Sequence, residues 1–264
     1  MSRYAAMFEH LAAANEAAFG GFLMLGYPDP ARCGALLDAL VEGGADMVEV
    51  GIPFSDPVAD GPVIAAAAKH ALEGGVRTAD CLAMIADFRA RHPAIPVGIL
   101  TYANIVVAHG REHFCAELAD AGADSLLVAD VPSIEAAPWA EAAIAAGIDP
   151  VLIGAPTTPQ HALETIARLG RGYTYCVARL GVTGSGVAPT MGHRQLFDDL
   201  ARLGAPPPIL GFGISSPAHV AEAVASGAAG VISGSALVER AALLDGPDQV
   251  RSLCAAMKAA TCPS

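Results

Sequence analysis

The chain has 264 residues, of which 53% are hydrophobic and only 16% are charged, and its formal net charge is −12. This composition excludes a disordered chain and suits an α/β fold whose sheet is covered by helices on both faces. The negative charge argues against nucleic acid and membrane surfaces as partners, because both are themselves anionic.

Short apolar runs alternate with segments of helical periodicity along the chain. Three runs share a helix-ending glycine followed by a β-rich stretch: GGADMVEVG from Gly43, AGADSLLVAD from Ala121 and SGAAGVISGS from Ser226. The other five strands are expected at residues 19–25, 97–101, 150–153, 172–176 and 208–211. Eight such units predict a (βα)8 TIM barrel as a single domain over residues 1–264, with extra helices before the first strand and at residues 62–73. A doubly wound sheet is the alternative.

Glu49 interrupts the apolar run VEVG. In a strand, Met47, Glu49 and Gly51 share one face, so Glu49 points into the barrel if the two intervening valines face the helices. A carboxyl group in an apolar interior is desolvated, which raises its pKa toward the range useful for proton transfer. No lysine or arginine lies between residues 45 and 68. Glu49 is therefore a candidate catalytic residue. The alternative is a structural glutamate that pairs with a neighbouring base or caps a backbone amine, and this segment offers no such base.

The loop after this strand, IPFSDPVADGP, carries two further carboxylates, Asp56 and Asp60. Its three prolines restrict the conformations of the loop, which suits a segment that holds a carboxylate in place. Either aspartate could act in the site or serve as a turn residue. Sequence spacing alone leaves this choice open.

Two loops of small residues, GFGISSP at 211–217 and ISGSALV at 232–238, follow the last two strands, and each opens a helix. In (βα)8 barrels such loops commonly bind phosphate, because exposed backbone N–H groups and a helix N-terminus supply donors and partial positive charge. Gly213, Gly234 and Ser235 would let the backbone approach the anion. Plain glycine turns are the alternative.

A glycine-rich segment at residues 178–192 follows the sixth strand. Its length and composition indicate a lid that excludes water once substrate binds, and a plain surface connection is the alternative. Tyr173 and Tyr175 precede this segment and share one face of their strand.

The six cysteines form no C-x-x-C pair and the eight histidines show no metal-ligand spacing, so we expect reduced, packing thiols and no metal site. The N-terminus lacks the apolar stretch of a secretory signal. The uncharged run at residues 223–238 is shorter than the roughly 20 residues of a membrane span. These features predict a cytoplasmic protein.

Seven segments, taken in order, resemble the α subunit of tryptophan synthase. They are LGYPDP, VEVGIPFSDPVADGP, LTYANIV, SLLVADVP, GRGYTYCVARLGVTG, GFGISSP and ISGSALV. The resemblance covers nearly the whole chain and implies a lyase that splits indole-3-glycerol phosphate into indole and glyceraldehyde 3-phosphate in L-tryptophan biosynthesis. It also implies no cofactor in this chain, and a pyridoxal phosphate-dependent β subunit that receives indole within an allosteric α2β2 heterotetramer.

The functional positions of the family transfer residue by residue onto this sequence. The resemblance implies that Glu49 protonates the indole ring carbon that carries the side chain, and that Asp60 accepts a hydrogen bond from the indole N–H. Tyr175 is the third implied catalytic group, and Asp56 leaves the proposed chemistry. The implied substrate-binding residues are Phe22, Leu100, Tyr102, Leu127, Ile153, Thr183 and Phe212. The implied phosphate-binding residues are Gly184, Gly213, Gly234 and Ser235.

Three other functions compete with this interpretation. A noncatalytic subunit that activates a partner is disfavoured, because Glu49, Asp60 and Tyr175 are all present. A stand-alone lyase that releases indole is favoured slightly by the departures from the family pattern at Ala178 and Leu180. A different phosphate-binding barrel, such as an isomerase, would not call for the loop PFSDPVADGP.

Overall fold

A computed structural model describes residues 2–177 and 192–262 of the chain. The strands within these residues are β1 (Ala18–Met24), β2 (Met47–Gly51), β3 (Val97–Thr101), β4 (Ser125–Val128), β5 (Asp149–Pro150), β6 (Leu152–Gly154), β7 (Thr174–Cys176), β8 (Pro208–Leu210) and β9 (Gly230–Ser233). All the strand pairings are parallel, and the sheet order is β5-β4-β3-β2-β1-β9-β8-β7-β6.

Helices alternate with these strands. They are α1 (Arg3–Ala14), α2 (Pro30–Glu42), α3 (Pro62–Glu73), α4 (Thr78–Arg91), α5 (Ala103–His109), α6 (Arg111–Asp120), α7 (Ala137–Ala145), α8 (Gln160–Leu169), α9 (Gly192–Arg202), α10 (Pro217–Ala225), α11 (Ser235–Ala241) and α12 (Gly246–Ala259), with a 3-10 turn at Ser133–Glu135. The two additional helices predicted from the sequence are α1 and α3. Within the described part of the chain, no helix is both long enough and apolar enough to cross a membrane.

Local sequence explains where several helices begin. Asp29 caps α2 by accepting a hydrogen bond from the backbone N–H of Arg32, and Pro30 occupies the first turn. Ser216 and Pro217 start α10 in the same way, with the Ser216 hydroxyl accepting from a backbone N–H. Each cap satisfies a donor that the first helical turn leaves unpaired.

The predicted barrel is confirmed, and its fifth strand is broken. The two edge strands of the sheet, β5 and β6, are consecutive pieces of chain separated only by Val151. Pro150 of β5 pairs with Leu126 of β4, whereas Leu152 of β6 pairs with Thr174 of β7. The chain therefore closes the barrel covalently at Val151, which makes the doubly wound alternative wrong. Beyond this point, residues 127–128 of β4 and residues 152–154 of β6 are not paired with each other. We call this region the seam.

Inward-facing positions form layers inside the barrel. Phe22, Glu49, Gly98 and Ser125 are successive register partners on β1 to β4 and therefore share one face. Tyr173, which precedes β7 across the barrel, donates a hydrogen bond to Glu49, and its hydroxyl oxygen would lie 3.3 Å from a Cβ atom added at Gly98, which places that face inside the barrel. Glu49 thus points inward, as predicted from the alternation in its strand.

The N-terminal ends of the strands are fastened by Asp124, just before β4. Its carboxylate accepts hydrogen bonds from Arg3 at 2.7 Å, from Arg89 at 2.5 Å and from the backbone N–H of Val97 at 2.8 Å. The Arg3 and Arg89 bonds are also ion pairs, and the Asp124 and Arg89 side chains are only 9% and 12% exposed. These contacts join α1 and α4 to the floor of the barrel.

Replacing Asp124 with alanine is expected to lower the free energy of unfolding by about 2–4 kcal/mol, because a nearly buried guanidinium loses its counter-charge. Urea denaturation measures this change. Asp120→Ala is the matched control, since Asp120 is exposed at the end of α6 and should change stability by no more than about 0.5 kcal/mol. Equal losses in the two variants would contradict the assigned role.

Candidate active site

Glu49 presents two carboxyl oxygens in different environments. The residue is only 1% exposed. Its Oε1 atom accepts a hydrogen bond of 2.9 Å from the Tyr173 hydroxyl. Its Oε2 atom is buried and has no hydrogen-bond partner within residues 2–177 and 192–262. One oxygen is therefore held in place, and the other is left available to a ligand.

Burial sets the acidity of this group. Desolvation raises the pKa of Glu49 to about 7, the Tyr173 hydrogen bond lowers it in part, and the negative charge of Asp60 raises it further. A carboxyl group with a pKa near neutrality can both give and take a proton at physiological pH. This is the environment expected from the position of Glu49 in an apolar strand.

Asp60 lies in the loop between β2 and α3. Burial raises the pKa of Asp60 to about 6, and a hydrogen bond from the Tyr102 hydroxyl lowers it in part. The same hydroxyl accepts a hydrogen bond of 3.3 Å from the backbone N–H of Ala59, and the Tyr102 ring stacks on Phe54 at 5.1 Å between centroids. Tyr102, implied to line the substrate site, therefore also supports the loop that carries Asp60.

The neighbouring carboxylate, Asp56, has a different environment. It is exposed and accepts a hydrogen bond of 2.6 Å from the Ser55 hydroxyl. The structure thus separates the two aspartates that sequence spacing could not rank, since Asp60 alone interacts electrostatically with Glu49.

Tyr175 occupies the opposite wall of the barrel on β7. Burial, followed by the charges of Glu49 and Asp60, raises the pKa of its hydroxyl well above the usual range, so the phenol stays protonated. Its ring contacts Phe212 edge-on at 6.1 Å between centroids. A Cβ atom added at Gly211 would lie 2.2 Å from the Tyr175 Cζ and hydroxyl oxygen. Only glycine leaves room for the tyrosine in this position.

The two glycine-rich loops lie side by side. The Ser233 hydroxyl donates a hydrogen bond of 2.7 Å to the Ile214 carbonyl, which joins the end of β9 to the loop after β8. Gly213 has a positive φ of 78°, and Phe212 before it has a φ of 70°, a region that bulky residues rarely adopt. Such strained residues cluster at functional sites.

The start of α11 offers backbone donors. Gly234 is its N-cap and supplies no side-chain hydrogen bond, and Ser235 is the first helical residue. Backbone N–H groups at a helix start favour an anion. Gly213 lies in the loop after β8, and Gly234 and Ser235 lie at the start of α11 directly after β9.

The implied apolar wall also lies on the inward face. Phe22 is the register partner of Glu49, Leu100 pairs with Leu127, and Ile153 pairs with Tyr175. These side chains therefore surround the same interior as the candidate catalytic groups. Thr183 and Gly184 lie outside the described residues, together with most of the predicted lid.

A cluster of buried hydroxyl groups beneath Glu49 was not expected from the sequence. The Tyr4 hydroxyl is 2.9 Å from the Ser125 hydroxyl, and the rings of Tyr4 and Tyr173 lie 5.3 Å apart. A Cβ atom on Gly98 would lie 3.0 Å from the Tyr4 and Ser125 oxygens and 3.3 Å from that of Tyr173. The cluster packs under the oxygen that Tyr173 holds. Only the shared face of Tyr173 and Tyr175 signalled part of it in the sequence.

The remaining reactive side chains lie elsewhere. All six cysteines are free thiols, and five of them are buried. Among residues 2–177 and 192–262, no group of three or more histidine, cysteine, aspartate or glutamate side chains is arranged to hold a metal ion.

Comparison with known proteins gives a consistent result. Residues 8–261 match the family model described as tryptophan synthase alpha chain. The chain is 47% identical over 266 residues to the tryptophan synthase alpha chain of Shewanella amazonensis, covering 99% of this chain and 100% of that one. It is 46% identical over 268 residues to the Klebsiella pneumoniae protein of the same name, covering 99% of each.

Solved structures agree in fold over the full length. The chain superposes on a structure of Mycobacterium tuberculosis tryptophan synthase with a TM-score of 0.91 and 34% identity, covering 100% of this chain and 99% of that one. A Legionella pneumophila tryptophan synthase subunit alpha gives a TM-score of 0.89 at 29% identity, with 99% and 98% of the two chains covered.

Proposed function

The chain belongs to the tryptophan synthase alpha chain family, and from this premise we propose that Glu49 and Asp60 carry out its reaction, with Tyr175 assisting. The protein is a carbon–carbon lyase of L-tryptophan biosynthesis that catalyses the alpha reaction, the cleavage of indole-3-glycerol phosphate into indole and glyceraldehyde 3-phosphate. The observation that supports the assignment most is the Glu49 carboxyl group. One of its oxygens is anchored by Tyr173, the other has no hydrogen-bond partner among the described residues, and its pKa is about 7.

The first step is protonation of the indole ring. Protonated Glu49 gives its proton to the ring carbon that carries the glycerol phosphate chain, and the ring becomes cationic. Deprotonated Asp60 accepts a hydrogen bond from the indole N–H and stabilises that charge. The negative charge of Asp60 raises the pKa of Glu49, which favours the protonated form of Glu49 that this step needs.

The second step breaks the carbon–carbon bond. The Glu49 carboxylate takes the proton of the side-chain hydroxyl, the carbonyl of glyceraldehyde 3-phosphate forms, and the bonding electrons return to the ring. Indole leaves neutral, and Glu49 is protonated again. The Tyr175 phenol stays protonated throughout and donates a hydrogen bond toward the glycerol phosphate chain of the substrate. The substrate phosphate binds to the backbone N–H groups of Gly184, Gly213, Gly234 and Ser235.

The direct test is an assay of the purified chain with indole-3-glycerol phosphate, with and without a β subunit. Indole formation that rises strongly on addition of β would support a working αβ assembly. High activity of the chain alone would instead support a stand-alone lyase. No indole under either condition would contradict the proposal.

The rate is expected to depend on pH in a bell-shaped manner. Asp60 acts deprotonated, so activity falls as pH drops through its pKa of about 6. Glu49 starts the cycle protonated, so activity falls as pH rises through its pKa of about 7. Because the Tyr173 hydrogen bond lowers the pKa of Glu49, Tyr173→Phe should move the high-pH limb upward by as much as about one pH unit.

The dependence of kcat on pH, measured from about pH 5 to 9 in wild type and Tyr173→Phe, tests this expectation. Because both proteins are assayed with the same substrate, the titration of the substrate phosphate affects both profiles equally. Tyr27→Phe is the matched control, because Tyr27 contacts His70 and not Glu49. A high-pH limb that stays in place or moves downward in Tyr173→Phe would contradict the role given to Tyr173.

We further propose a β-subunit partner that carries pyridoxal phosphate, an α2β2 heterotetramer, no cofactor in this chain, and a cytoplasmic single-domain protein. Exposed apolar side chains support a partner surface. Val58, Val107 and Ile134 are 70%, 60% and 68% exposed, and they follow β2, β3 and β4 respectively. Since parallel strands end at one edge of the barrel, these residues lie on the same side as the candidate site. An apolar surface at this position is typical of a protein interface.

Placing aspartate at Val107 or Ile134 is expected to weaken binding of the β subunit by at least about ten-fold, because a charge would be buried against an apolar partner. Calorimetric titration with β measures this loss. Leu244→Asp is the matched control, since Leu244 is fully exposed in the α11–α12 connection. Unchanged affinity in the first two variants would exclude this surface, and the activity of the chain alone should be the same in all three.

A further inference from the structure

A cavity of about 380 Å3 lies at the seam. It is lined by Leu126 and Val128 of β4, by Leu152 and Ile153 of β6 and by Trp139 of α7. Leu126, Val128 and Leu152 alternate with inward-facing residues and point toward the helices, whereas Ile153 pairs with Tyr175 and faces the interior. The cavity therefore borders the candidate active site at Ile153 but is not lined by Glu49, Asp60 or Tyr175.

The cavity lies where two strands part and where, among the described residues, several small side chains face the gap. After Pro150 the chain leaves β4 and pairs with β7. The helices that cover the opening present alanine there, with Ala140 and Ala143 on α7 and Ala162 on α8. Protein interiors are normally close-packed, and leucine-sized side chains at these positions would fill the space.

We propose that this cavity is a second binding site for a neutral, planar aromatic molecule of one or two rings. The expected ligand is indole, which is a product of this chain under the proposed function. The inference therefore rests on the proposed function for the source of the ligand. The site itself is defined by its walls alone. Bound there, indole would be held beside the chamber in which it forms.

Size and polarity support an aromatic ligand. An apolar cavity of roughly 150 Å3 is known to stay dry and to bind benzene, so about 380 Å3 accommodates two fused rings. The ring of Trp139 supplies an aromatic surface, and the Arg111 guanidinium lies 5.5 Å from its centroid and holds it from the α6 side.

Charge excludes the phosphorylated substrate from this cavity. Among the described residues, no lysine or arginine lines the walls, and the one charged lining residue is Asp130. The Asp130 carboxylate accepts a hydrogen bond of 2.8 Å from the backbone N–H of Ala103, which fixes a negative charge at the rim. An anionic phosphate would meet the repulsion of Asp130 and no cationic side chain on the walls, whereas a neutral ring would not be repelled.

The sequence provides a reporter for this site, because Trp139 is the only tryptophan in the chain. Incorporation of 5-fluorotryptophan into the full chain places a single fluorine label at the cavity wall. We expect unlabelled indole to shift the fluorine NMR signal in a saturable way. The shift should persist when 3-indolylpropyl phosphate saturates the catalytic chamber, since that ester has the phosphate but lacks the hydroxyl groups needed for cleavage. A signal that does not move, or a shift abolished by the ester, would overturn the proposal.

Filling the cavity supplies a second test. Ala162→Leu should weaken the indole-induced shift by at least about ten-fold, because the added side chain occupies the ligand volume. Ala167→Leu is the matched control, since Ala167 lies on the same helix but does not line the cavity, and its titration should follow wild type. Equal titrations in the two variants would count against the site. The competition in wild-type protein decides the question even if Ala162→Leu does not fold.

Indole formation from indole-3-glycerol phosphate is measured in parallel on the labelled chain. Cleavage with an unmoved fluorine signal would overturn only the second site. A saturable shift without cleavage would support the second site and contradict the proposed function. The two conclusions therefore fail separately.

Discussion

Replacing Glu49 with glutamine is expected to lower kcat for indole formation by at least about two orders of magnitude, the contribution of a positioned acid–base group. Glutamine has nearly the same shape, and its carbonyl oxygen can still accept the hydrogen bond that Tyr173 donates at 2.9 Å. Its amide cannot transfer a proton from the position of Oε2. Steady-state turnover of indole-3-glycerol phosphate measures the loss.

Asp56→Asn is the matched control, because Asp56 is an exposed carboxylate in the following loop, and its turnover should stay within about two-fold of wild type. Binding of a substrate analogue should change little in Glu49→Gln. Near-normal turnover by the glutamine variant would refute the role given to Glu49.

The same substitution has a second signature in protein stability. The folded state raises the pKa of Glu49 to about 7, so the folded protein binds more protons than the unfolded chain between the ordinary carboxyl pKa and that value. Stability then falls as pH rises through this window. Glu49→Gln has no titrating group at this position. Its free energy of unfolding should therefore increase relative to that of wild type as the pH rises from about 4.5 to 7. Parallel stability curves would contradict the raised pKa.

Gly211→Ala is expected to reduce kcat by about ten- to a hundred-fold, although only one methyl group is added. A Cβ atom at this position would lie 2.2 Å from the Tyr175 Cζ and hydroxyl oxygen, so the ring must move. Tyr175 is buried, and its ring packs edge-on against Phe212, the residue after Gly211. Displacements of about 1 Å among catalytic groups cost rates of this order.

Gly154→Ala is the control, because it also adds one methyl group at the end of a barrel strand, here β6. Its new Cβ atom would lie no closer than 3.7 Å to any neighbour, which is ordinary contact. Its kcat and thermal unfolding should match wild type. If Gly211→Ala retains full turnover, Tyr175 does not need its present position for the reaction.

The alternation of apolar runs and helical segments was enough to predict the barrel, because each strand is covered on both faces and needs an apolar sequence. The break at Val151 could not be predicted from the same pattern. Pro150, Val151 and Leu152 read as a continuous strand, and the change of partner from β4 to β7 depends on how the barrel closes. Local sequence carries no signal for that geometry.

The site was predicted unevenly for a similar reason. Glu49 stood out because a carboxyl group in an apolar strand is unusual, and the structure places it inside the barrel. Asp60 and Asp56 became distinguishable only because the folded loop half-buries Asp60 and exposes Asp56. The Tyr173 contact joins residues 124 positions apart, and Tyr4 reaches the cluster from the first helix. Such long-range contacts have no periodic signature in the sequence.

The first helix also shapes the medium in which the reaction takes place. Tyr4 packs against Tyr173, whose hydroxyl binds the Glu49 carboxyl group, and Arg3 fastens the same helix to the opposite end of the barrel from the candidate site. Packing on this side helps to leave Glu49 only 1% exposed, and a bound substrate would keep water away from the carboxyl group during the reaction. A proton moving between Glu49 and the ring then meets a low local dielectric constant and no competing solvent molecule.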